Sequence, residues 1–131
     1  MQGVEAGKAG AHDDDVEISK GASLLCGHAS EPTRGAGFRT RGPAVVIQAD
    51  ALNRAGSDGV ILAVMTSTLR DAPLLRLDID PKEAGLERPT QVMVEKLLTV
   101  RRSKLGRIVG HLSASDLVAL NRLLAFVIGL A

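Results

Sequence analysis

The sequence predicts a mainly β protein, a small β-barrel that is closed by a C-terminal amphipathic helix. The chain has 131 residues, which is the usual length of one domain with a modest core. Several short segments of strand character follow one another along it, and helical periodicity appears only near its end. Short strands in this number, with so little helix, are typical of a small twisted barrel.

The first third of the chain is the least regular. Residues 1–15, rich in glycine, alanine and aspartate, are expected to be a disordered leader, and residues 16–131 a single barrel domain. Leu24 to Cys26 could make a short first strand, although the neighbouring glycines weaken that prediction. Residues 31–42 hold three glycines, a proline and three arginines, so they predict a flexible basic loop.

The middle of the chain contains the strongest strand signals. Ala44–Ala49 and Val60–Met65 are almost continuous apolar runs, which indicate strands buried on both faces, and a short polar crossover joins them. Leu75–Ile79 alternates between apolar and polar residues, as a strand with one solvent-exposed face does. Residues 81–89 then predict a polar turn.

The last third predicts further strands and the helix. Gln91–Lys96 alternates, an apolar stretch over residues 97–100 follows it closely, and residues 107–112 make a last short strand. Ser113 is a predicted N-cap, with Asp116 at the third helical position. Apolar residues then recur at helical spacing to the end of the chain: Leu117, Leu120, Leu124 and Val127, joined by Leu123 and Ile128. Leu123, Phe126 and Ile128 widen this apolar face beyond what one small barrel needs to bury, so a dimer held partly through the last helix is expected.

Composition limits the function. The net charge is +1, but residues 1–30 hold five acids against two lysines, so the rest of the chain is mildly basic and could hold an RNA backbone. With two Phe and no Tyr or Trp, base stacking cannot dominate, and phosphate and polar contacts must do most of the binding. The single cysteine, Cys26, excludes an intrachain disulfide. We find no secretory signal and no apolar run of membrane-spanning length, so a cytoplasmic protein without a membrane partner is expected.

A cluster of hydroxyls and an arginine follows the second apolar strand. The strand ends at Thr66, and Ser67, Thr68 and Arg70 come directly after it. Hydrogen-bond donors and a cation at the rim of a sheet suit a phosphate or another anion. Thr66 could equally be an ordinary threonine at a strand end.

Other groups of reactive or charged side chains carry weaker signals. The three histidines, His12, His28 and His111, are not at zinc-ligand spacing with Cys26, so no metal site and no cofactor is predicted. Cys26 and His28 could form a nucleophilic pair, but no third member is evident, and a free core thiol is the simpler interpretation. A second group of cations is most simply a solvated edge, with contact to an RNA backbone as the alternative: Arg101, Arg102, Lys104 and Arg107.

The order of these segments resembles the MazF/PemK family of toxin ribonucleases, from about Glu31 to Leu130. That family carries an Arg-Pro-Ala-Val-Val strand, an asparagine in the crossover, and a strand that ends in Thr-Ser or Thr-Thr. Its later segments read Gly-Leu-x-x-x-Ser-x-Val, Arg-Thr-Val-x-x-x-Arg-Leu and Gly-x-Leu-Ser. The matching parts of this chain begin at Gly42, Asn53, Val60, Gly85, Leu98 and Gly110.

The resemblance implies an SH3-like barrel, a homodimer, and a toxin that cleaves single-stranded mRNA without a metal ion and is bound by a cognate antitoxin peptide. The ribose 2′-hydroxyl would attack its own phosphate, while an arginine and a threonine stabilise the phosphorane. Thr66 matches the threonine. Arg41 is the candidate arginine, and the other expected substrate-binding residues are Arg34, Arg39, Ser67, Thr68 and Arg70. RNA binding and DNA binding are both expected functions.

Two glycines depart from the family pattern. Gly37 stands where many relatives carry a glutamate, and Gly42 stands between Arg41 and Pro43, where relatives have arginine directly before the proline. By the two-residue period of a strand, Arg41 shares a face with Pro43, so either Gly42 forms a β-bulge that restores the arginine or the site has lost its charge. The bulge is the favoured expectation.

Three functional interpretations follow. The first is an mRNA endonuclease of a toxin–antitoxin pair. The second is a weakened or inactive relative that still dimerises and binds an antitoxin peptide, marked by the two glycines. The third is a gyrase-poisoning toxin of the same fold superfamily, which no residue of this chain supports.

Overall fold

A computed structural model describes residues 18–26 and 42–130 of the chain. The predicted leader and most of the predicted basic loop therefore lie outside the described residues. In chain order the elements are β1 (Ala22–Cys26), β2 (Gly42–Val46), α1 (Asp50–Arg54), β3 (Gly59–Thr66), β4 (Arg76–Ile79), β5 (Thr90–Arg101), a 3-10 turn (Arg102–Lys104), β6 (Ile108–His111) and α2 (Ala114–Val127).

The strands form one curled antiparallel sheet in the order β4-β5-β3-β2-β1-β6, so the prediction of a mainly β fold with a C-terminal helix is confirmed. The curl makes a half-barrel whose open side lies between β4 and β6. The turn after β4 bridges that side, because the backbone N–H of His111 donates to the Glu83 carbonyl at 3.2 Å. The buried Ser23 hydroxyl donates to the Ala84 carbonyl at 2.8 Å.

Apolar residues are buried on both faces of the sheet, as the continuous runs predict. One core includes Val45, Met65 and Leu120 and lies between the sheet and α2. The other core, on the opposite face, includes Val46 and Leu62. Neighbouring residues of β2 thus enter different cores, which is why neither β2 nor β3 shows a polar alternation.

The connection between β2 and β3 is more regular than the predicted polar crossover. β2 ends at Val46 rather than at Ala49, because the side chain of buried Gln48 takes over the pairing at this end of the sheet. Its Oε1 accepts from the Ile61 N–H at 3.3 Å, and its Nε2 donates to Asn53 Oδ1 at 3.0 Å and to Ser57 Oγ at 3.1 Å. These bonds hold the single turn of α1 against the sheet.

The Asp50 carboxylate ties α1 to the start of β1. It accepts from the backbone N–H of Lys20 at 2.7 Å and from the Asn53 side chain at 3.2 Å. The bond from the Lys20 N–H, followed by the one from Asn53, lowers the pKa of Asp50, because both stabilise the charged form.

The two strand segments predicted over residues 91–100 are one strand, β5, with an irregularity in the middle. In its pairing with β3, Ala63 lies opposite Leu97, but Met65 lies opposite Val92, so extra residues of β5 bulge out between these two pairs. The first part of β5 can therefore pair with β4 as well, where Asp78 lies opposite Gln91.

The C-terminal helix begins as predicted, since Ser113 Oγ accepts from the Asp116 N–H at 3.1 Å. Leu120 is fully buried, and Leu123 packs against the same core, so Leu123 does not widen an exposed apolar face as expected. Phe126 and Ile128 are exposed, at 49% and 59% of their surface. Within the described residues, no helix is long and apolar enough to cross a membrane.

Candidate functional site

An open cleft of about 580 Å³ lies at the end of β3, where the predicted site residue Thr66 is found. Four parts of the chain supply its walls: the start of β2, the end of β3, the turn before β5, and the start of β6. The lining residues that carry chemistry or fix position are Pro43, Thr66, Ser67, Glu87, Arg88 and Arg107.

Thr66 is held by a local hydrogen bond. It is the last residue of β3, and its Oγ1 accepts from the backbone N–H of Thr68 at 3.0 Å. A hydroxyl that accepts in this way keeps its own O–H free to donate. The group is half-buried at the edge of the cleft, so a phosphate oxygen could receive that bond.

The neighbouring predicted residues divide into two groups. Ser67 lines the cleft beside Thr66 and is exposed. Thr68 and Arg70 are exposed too but do not line it, and their backbones belong to the loop that leaves β3. The structure thus brings Thr66 and Ser67 together, and contact of Thr68 or Arg70 with a substrate stays a prediction.

Two arginines in the cleft were not among the candidate site residues. Arg88 lies in the turn before β5, where the Thr90 hydroxyl donates to its carbonyl at 2.8 Å, and Arg107 lies just before β6. Both are exposed. The signal in the sequence was only that Arg107 belonged to a basic stretch, because the fold, and not local sequence, brings residues 66, 88 and 107 together.

The basic stretch itself is not a uniform solvated edge. Arg102 is half-buried, and its guanidinium donates to the carbonyls of Ser57 at 3.1 Å and Asn53 at 3.3 Å. Those carbonyls lie at the end of α1 and in the turn after it. Arg102 therefore fixes the α1 end of the sheet, and the interpretation of this residue as solvated is wrong.

Close contact between backbones fixes the cleft wall that carries Arg88. Gly85 has a φ of +76°, and a Cβ there would overlap the carbonyl of Val109 in β6. On the other side of the same crossing, a Cβ on Gly110 would lie 2.5 Å from the Ala84 carbonyl carbon. Only glycine allows the turn and β6 to approach this closely.

The start of β2 is regular over the residues that the structure describes. Residues 42 to 45 pair with β1 in continuous register, with Gly42 opposite Cys26 and Pro43 opposite Leu25. No bulge interrupts the pairing from Gly42 to Val45, and the step between Arg41 and Gly42 lies outside the described residues, so the expected β-bulge stays a prediction. Arg34, Arg39 and Arg41 lie outside the described residues, and Pro43 is the nearest described residue that lines the cleft.

Groups for metal or nucleophilic chemistry are sparse in the part of the chain that the structure describes. No three His, Cys, Asp or Glu side chains there converge as metal ligands. His111 is exposed on β6, while His12, His28 and the side chain of Cys26 lie outside the description. The arrangement of hydroxyls and guanidinium groups suits binding of a phosphodiester and stabilisation of its charge.

The fold and the cleft together define a small β-domain with hydroxyl and guanidinium groups around an opening at one end of its sheet. A family profile described as "PemK-like, MazF-like toxin of type II toxin-antitoxin system" matches residues 28–128. The chain belongs to this family of toxins, which confirms the resemblance read from the sequence.

Individual relatives agree with the family assignment. The chain is 38% identical over 90 residues to a probable MazF endoribonuclease of Mycolicibacterium smegmatis, which covers 68% of this chain and 81% of that relative. A crystal structure of MazF from Deinococcus radiodurans has a TM-score of 0.71 at 19% identity and covers 88% of this chain and 99% of that one.

An endoribonuclease from mycobacterial species, solved in complex with its cognate antitoxin, has a TM-score of 0.69 at 20% identity. The match covers 86% of this chain and 96% of that one. At these identities the two solved structures show the fold, which is that of MazF toxins. None of these names or descriptions concerns DNA binding, which stays a prediction.

Proposed function

We propose that this toxin endoribonuclease cleaves single-stranded mRNA without a metal ion. The ribose 2′-hydroxyl loses its proton and attacks the adjacent phosphorus, the bond from phosphorus to the 5′-oxygen of the next nucleotide breaks, that oxygen leaves as a hydroxyl, and a 2′,3′-cyclic phosphate remains. The observation that carries this proposal is the cleft at the end of β3, where Thr66 and Ser67 face the same opening as Arg88 and Arg107. The curated mycobacterial relative is named as an endoribonuclease, which supports the same reaction class.

Thr66 contributes a hydrogen bond to the reacting phosphate. Its Oγ1 already accepts from the Thr68 N–H, so the rotation of the hydroxyl is restricted and its proton is available to a phosphate oxygen. Charge that builds up on the phosphorane is stabilised more by donors that are already in place than by water, which must reorient. Ser67 supplies a second hydroxyl from the same wall.

Arg41 provides the guanidinium for the phosphorane. Pro43 lines the cleft, and residues 42 to 45 pair with β1 in continuous register. Because Ala44 lies opposite Val64, position 42 and not position 41 shares the face of Thr66 in a regular strand. In this proposal a β-bulge between Arg41 and Gly42 therefore returns the Arg41 side chain to the Thr66 side of the cleft.

The remaining cations bind the RNA backbone on either side of the reacting phosphate. Arg88 and Arg107 line the cleft, and Arg34, Arg39 and Arg70 are the candidates from the neighbouring loops, together with the hydroxyl of Thr68. Because the chain has only two Phe and no Tyr or Trp, backbone contacts rather than stacking dominate the binding. Binding should therefore weaken steeply with salt.

A cognate antitoxin peptide and a second copy of the chain are the protein partners in this proposal. A neighbour in fold was solved with its cognate antitoxin. The last helix and the residues after it expose several large apolar side chains, which a second copy would cover: Val118, Phe126, Ile128 and Leu130. We place the folded toxin unit in residues 16–131, after a leader over residues 1–15, and its location in the cytoplasm, where mRNA is available.

The test is cleavage of a long single-stranded transcript by the purified protein in excess EDTA. We expect cleavage to proceed at the same rate with and without EDTA and to leave a 2′,3′-cyclic phosphate, detected by end-group analysis. Activity that EDTA abolishes and Mg²⁺ restores would refute the mechanism.

A pair of variants tests the residues. Thr66→Val removes the hydroxyl but keeps the shape of the side chain, and Arg41→Ala removes the proposed charge. Each is expected to slow cleavage about a hundredfold, as loss of one transition-state donor does. If Thr66→Val is slow while Arg41→Ala is silent, Arg41 is a loop residue and Arg39 becomes the candidate cation.

A further inference from the structure

We propose that Gln91 is a positioning residue, which holds the loop after β3 so that Thr66 presents its hydroxyl to the phosphate. This inference rests on the proposed function of the cleft. Gln91 lies directly opposite Thr66 in the β3–β5 pairing, yet its side chain does not bond to Thr66 itself. It acts on the segment that follows.

The Gln91 side chain bonds to both the N–H and the C=O of one loop residue. Its Oε1 accepts from the Arg70 N–H at 3.1 Å, and its Nε2 donates to the Arg70 carbonyl at 3.0 Å. Two bonds of opposite polarity to a single residue fix that residue in distance and in orientation. The loop from Thr66 to Arg70 is therefore anchored at both of its ends.

Charged groups on β4 hold the Gln91 amide in this orientation. Its Nε2 also donates to Asp78 Oδ1 at 2.8 Å, and its Oε1 also accepts from Arg76 Nη1 at 3.0 Å. The same Arg76 nitrogen donates to the Thr68 carbonyl at 3.2 Å. Since only an amide nitrogen can donate to both Asp78 and a carbonyl, the orientation of the amide is determined by its neighbours.

Thr68 connects this network to the proposed chemistry. Its carbonyl is held by Arg76, and its N–H donates to Thr66 Oγ1 at 3.0 Å. If the loop moved, the donor that restricts the Thr66 hydroxyl would move with it. A misplacement of the order of 1 Å in a reacting group can slow a reaction about a hundredfold.

A buried strand position does not by itself require an amide side chain. Gln91 is only 5% exposed, and a β-branched apolar residue would suit a buried strand position. Gln48 offers the matched comparison within the same chain. It too is 5% exposed and makes three side-chain hydrogen bonds to its surroundings, but at the α1 end of the sheet and not in the cleft.

The experiment compares Gln91→Met with Gln48→Met in single-turnover cleavage. The wild-type protein first cleaves a long transcript, the cut site is mapped, and a short fluorescent oligonucleotide spanning it becomes the substrate. Rates are measured well below each variant's melting temperature, so that every variant is folded. We expect Gln91→Met to lower the maximal rate constant about tenfold or more, while the protein concentration that gives half of the maximal rate changes by less than about threefold.

Gln48→Met is expected to lose stability but to keep a maximal rate within about twofold of the wild type, since it leaves the loop after β3 intact. Gln91→Glu retains both acceptor bonds but replaces the donating nitrogen by a carboxylate oxygen that faces Asp78 and the Arg70 carbonyl, so its rate should fall as well. Hydrogen exchange gives a readout independent of activity, because the Thr68 and Arg70 amides should exchange faster in Gln91→Met only.

The outcomes separate the two proposals. Equal rate losses in Gln91→Met and Gln48→Met, or unchanged exchange of the Thr68 and Arg70 amides, would overturn the positioning role. If Gln91→Met does not fold, a wild-type rate in Gln91→Glu overturns it instead. The proposed function itself fails on a different result, which is a wild-type protein that leaves RNA intact or a Thr66→Val variant of full activity.

Discussion

Replacing Gly85 with alanine should strongly destabilise the protein, because two separate costs act at that position. The φ of +76° is unfavourable for any residue with a Cβ, which costs about 1–2 kcal/mol. The new Cβ would also overlap the Val109 carbonyl, and relief of an overpacked contact costs about 1–3 kcal/mol. The free energy of unfolding should therefore fall by about 2–5 kcal/mol.

Gly56→Ala is the matched control. Gly56 has nearly the same φ, +78°, but a Cβ there would meet nothing within 4 Å. Only the conformational cost remains, about 1–2 kcal/mol. In a chain of 131 residues, 1 kcal/mol corresponds to about 4 °C in melting temperature.

Thermal unfolding followed by circular dichroism measures both variants. We expect Tm to fall by about 8–20 °C for Gly85→Ala and by about 4–8 °C for Gly56→Ala. In Gly85→Ala the shape of the cleft should change as well, because the turn that carries Arg88 must move away from β6. Equal falls in Tm would show that the turn does not cross β6 as described. The position of the cleft wall that carries Arg88 would then be wrong.

Three further predictions test other parts of the molecule. The lowered pKa of Asp50 means that the stabilisation from its bond to the Lys20 N–H is fully present above about pH 4 and is lost as pH falls through the folded pKa. The difference in Tm between the wild type and Asp50→Asn should therefore shrink from pH 6 to pH 3. A difference in Tm that stays constant over this range would contradict the role of Asp50. Deletion of Gly42 places Arg41 directly before Pro43, on the face of Thr66, so cleavage should stay at the wild-type rate or rise, whereas a loss of about a hundredfold would contradict this assignment of Arg41. Light scattering should show a dimer at micromolar concentration that Phe126→Glu dissociates, and a wild-type monomer would exclude a dimer through α2.

Local patterns predicted most of the fold correctly. Continuous apolar runs revealed β2 and β3 because each strand has a core on both faces. The N-cap at Ser113 was visible because capping depends on a few neighbouring residues. The last helix was visible for a similar reason, since its core face repeats within the element itself.

The features that sequence missed depend on contacts between distant parts of the chain. α1 is a five-residue helix that is held by the side chains of Gln48 and Asp50 and by no strong propensity of its own. The continuity of β5 depends on its bulge opposite β3. The sequence alone predicts that Arg102 is exposed. It is half-buried because its guanidinium donates to the Asn53 and Ser57 carbonyls, which are distant in the chain.

The candidate site likewise contains residues that the sequence predicts and residues that only the folded structure identifies. Thr66 and Ser67 could be chosen from sequence, because a strand that ends in hydroxyls is a local signal. Arg88 and Gln91 could not, since the partners that give them a role lie about twenty residues away in the chain and meet them only in the folded sheet.

The most direct test of the cleft as the RNA site is a titration followed by amide NMR shifts. The probe is a short single-stranded RNA that spans the mapped cut site and carries 2′-deoxyribose at the reacting position, so that it binds without being cleaved. We predict that shifts concentrate at Thr66, Ser67, Arg88 and Arg107 and leave the α1 end of the sheet, around Ser57, unchanged. Shifts clustered around Ser57, with the cleft amides unmoved, would contradict the assignment of this cleft as the site of RNA cleavage.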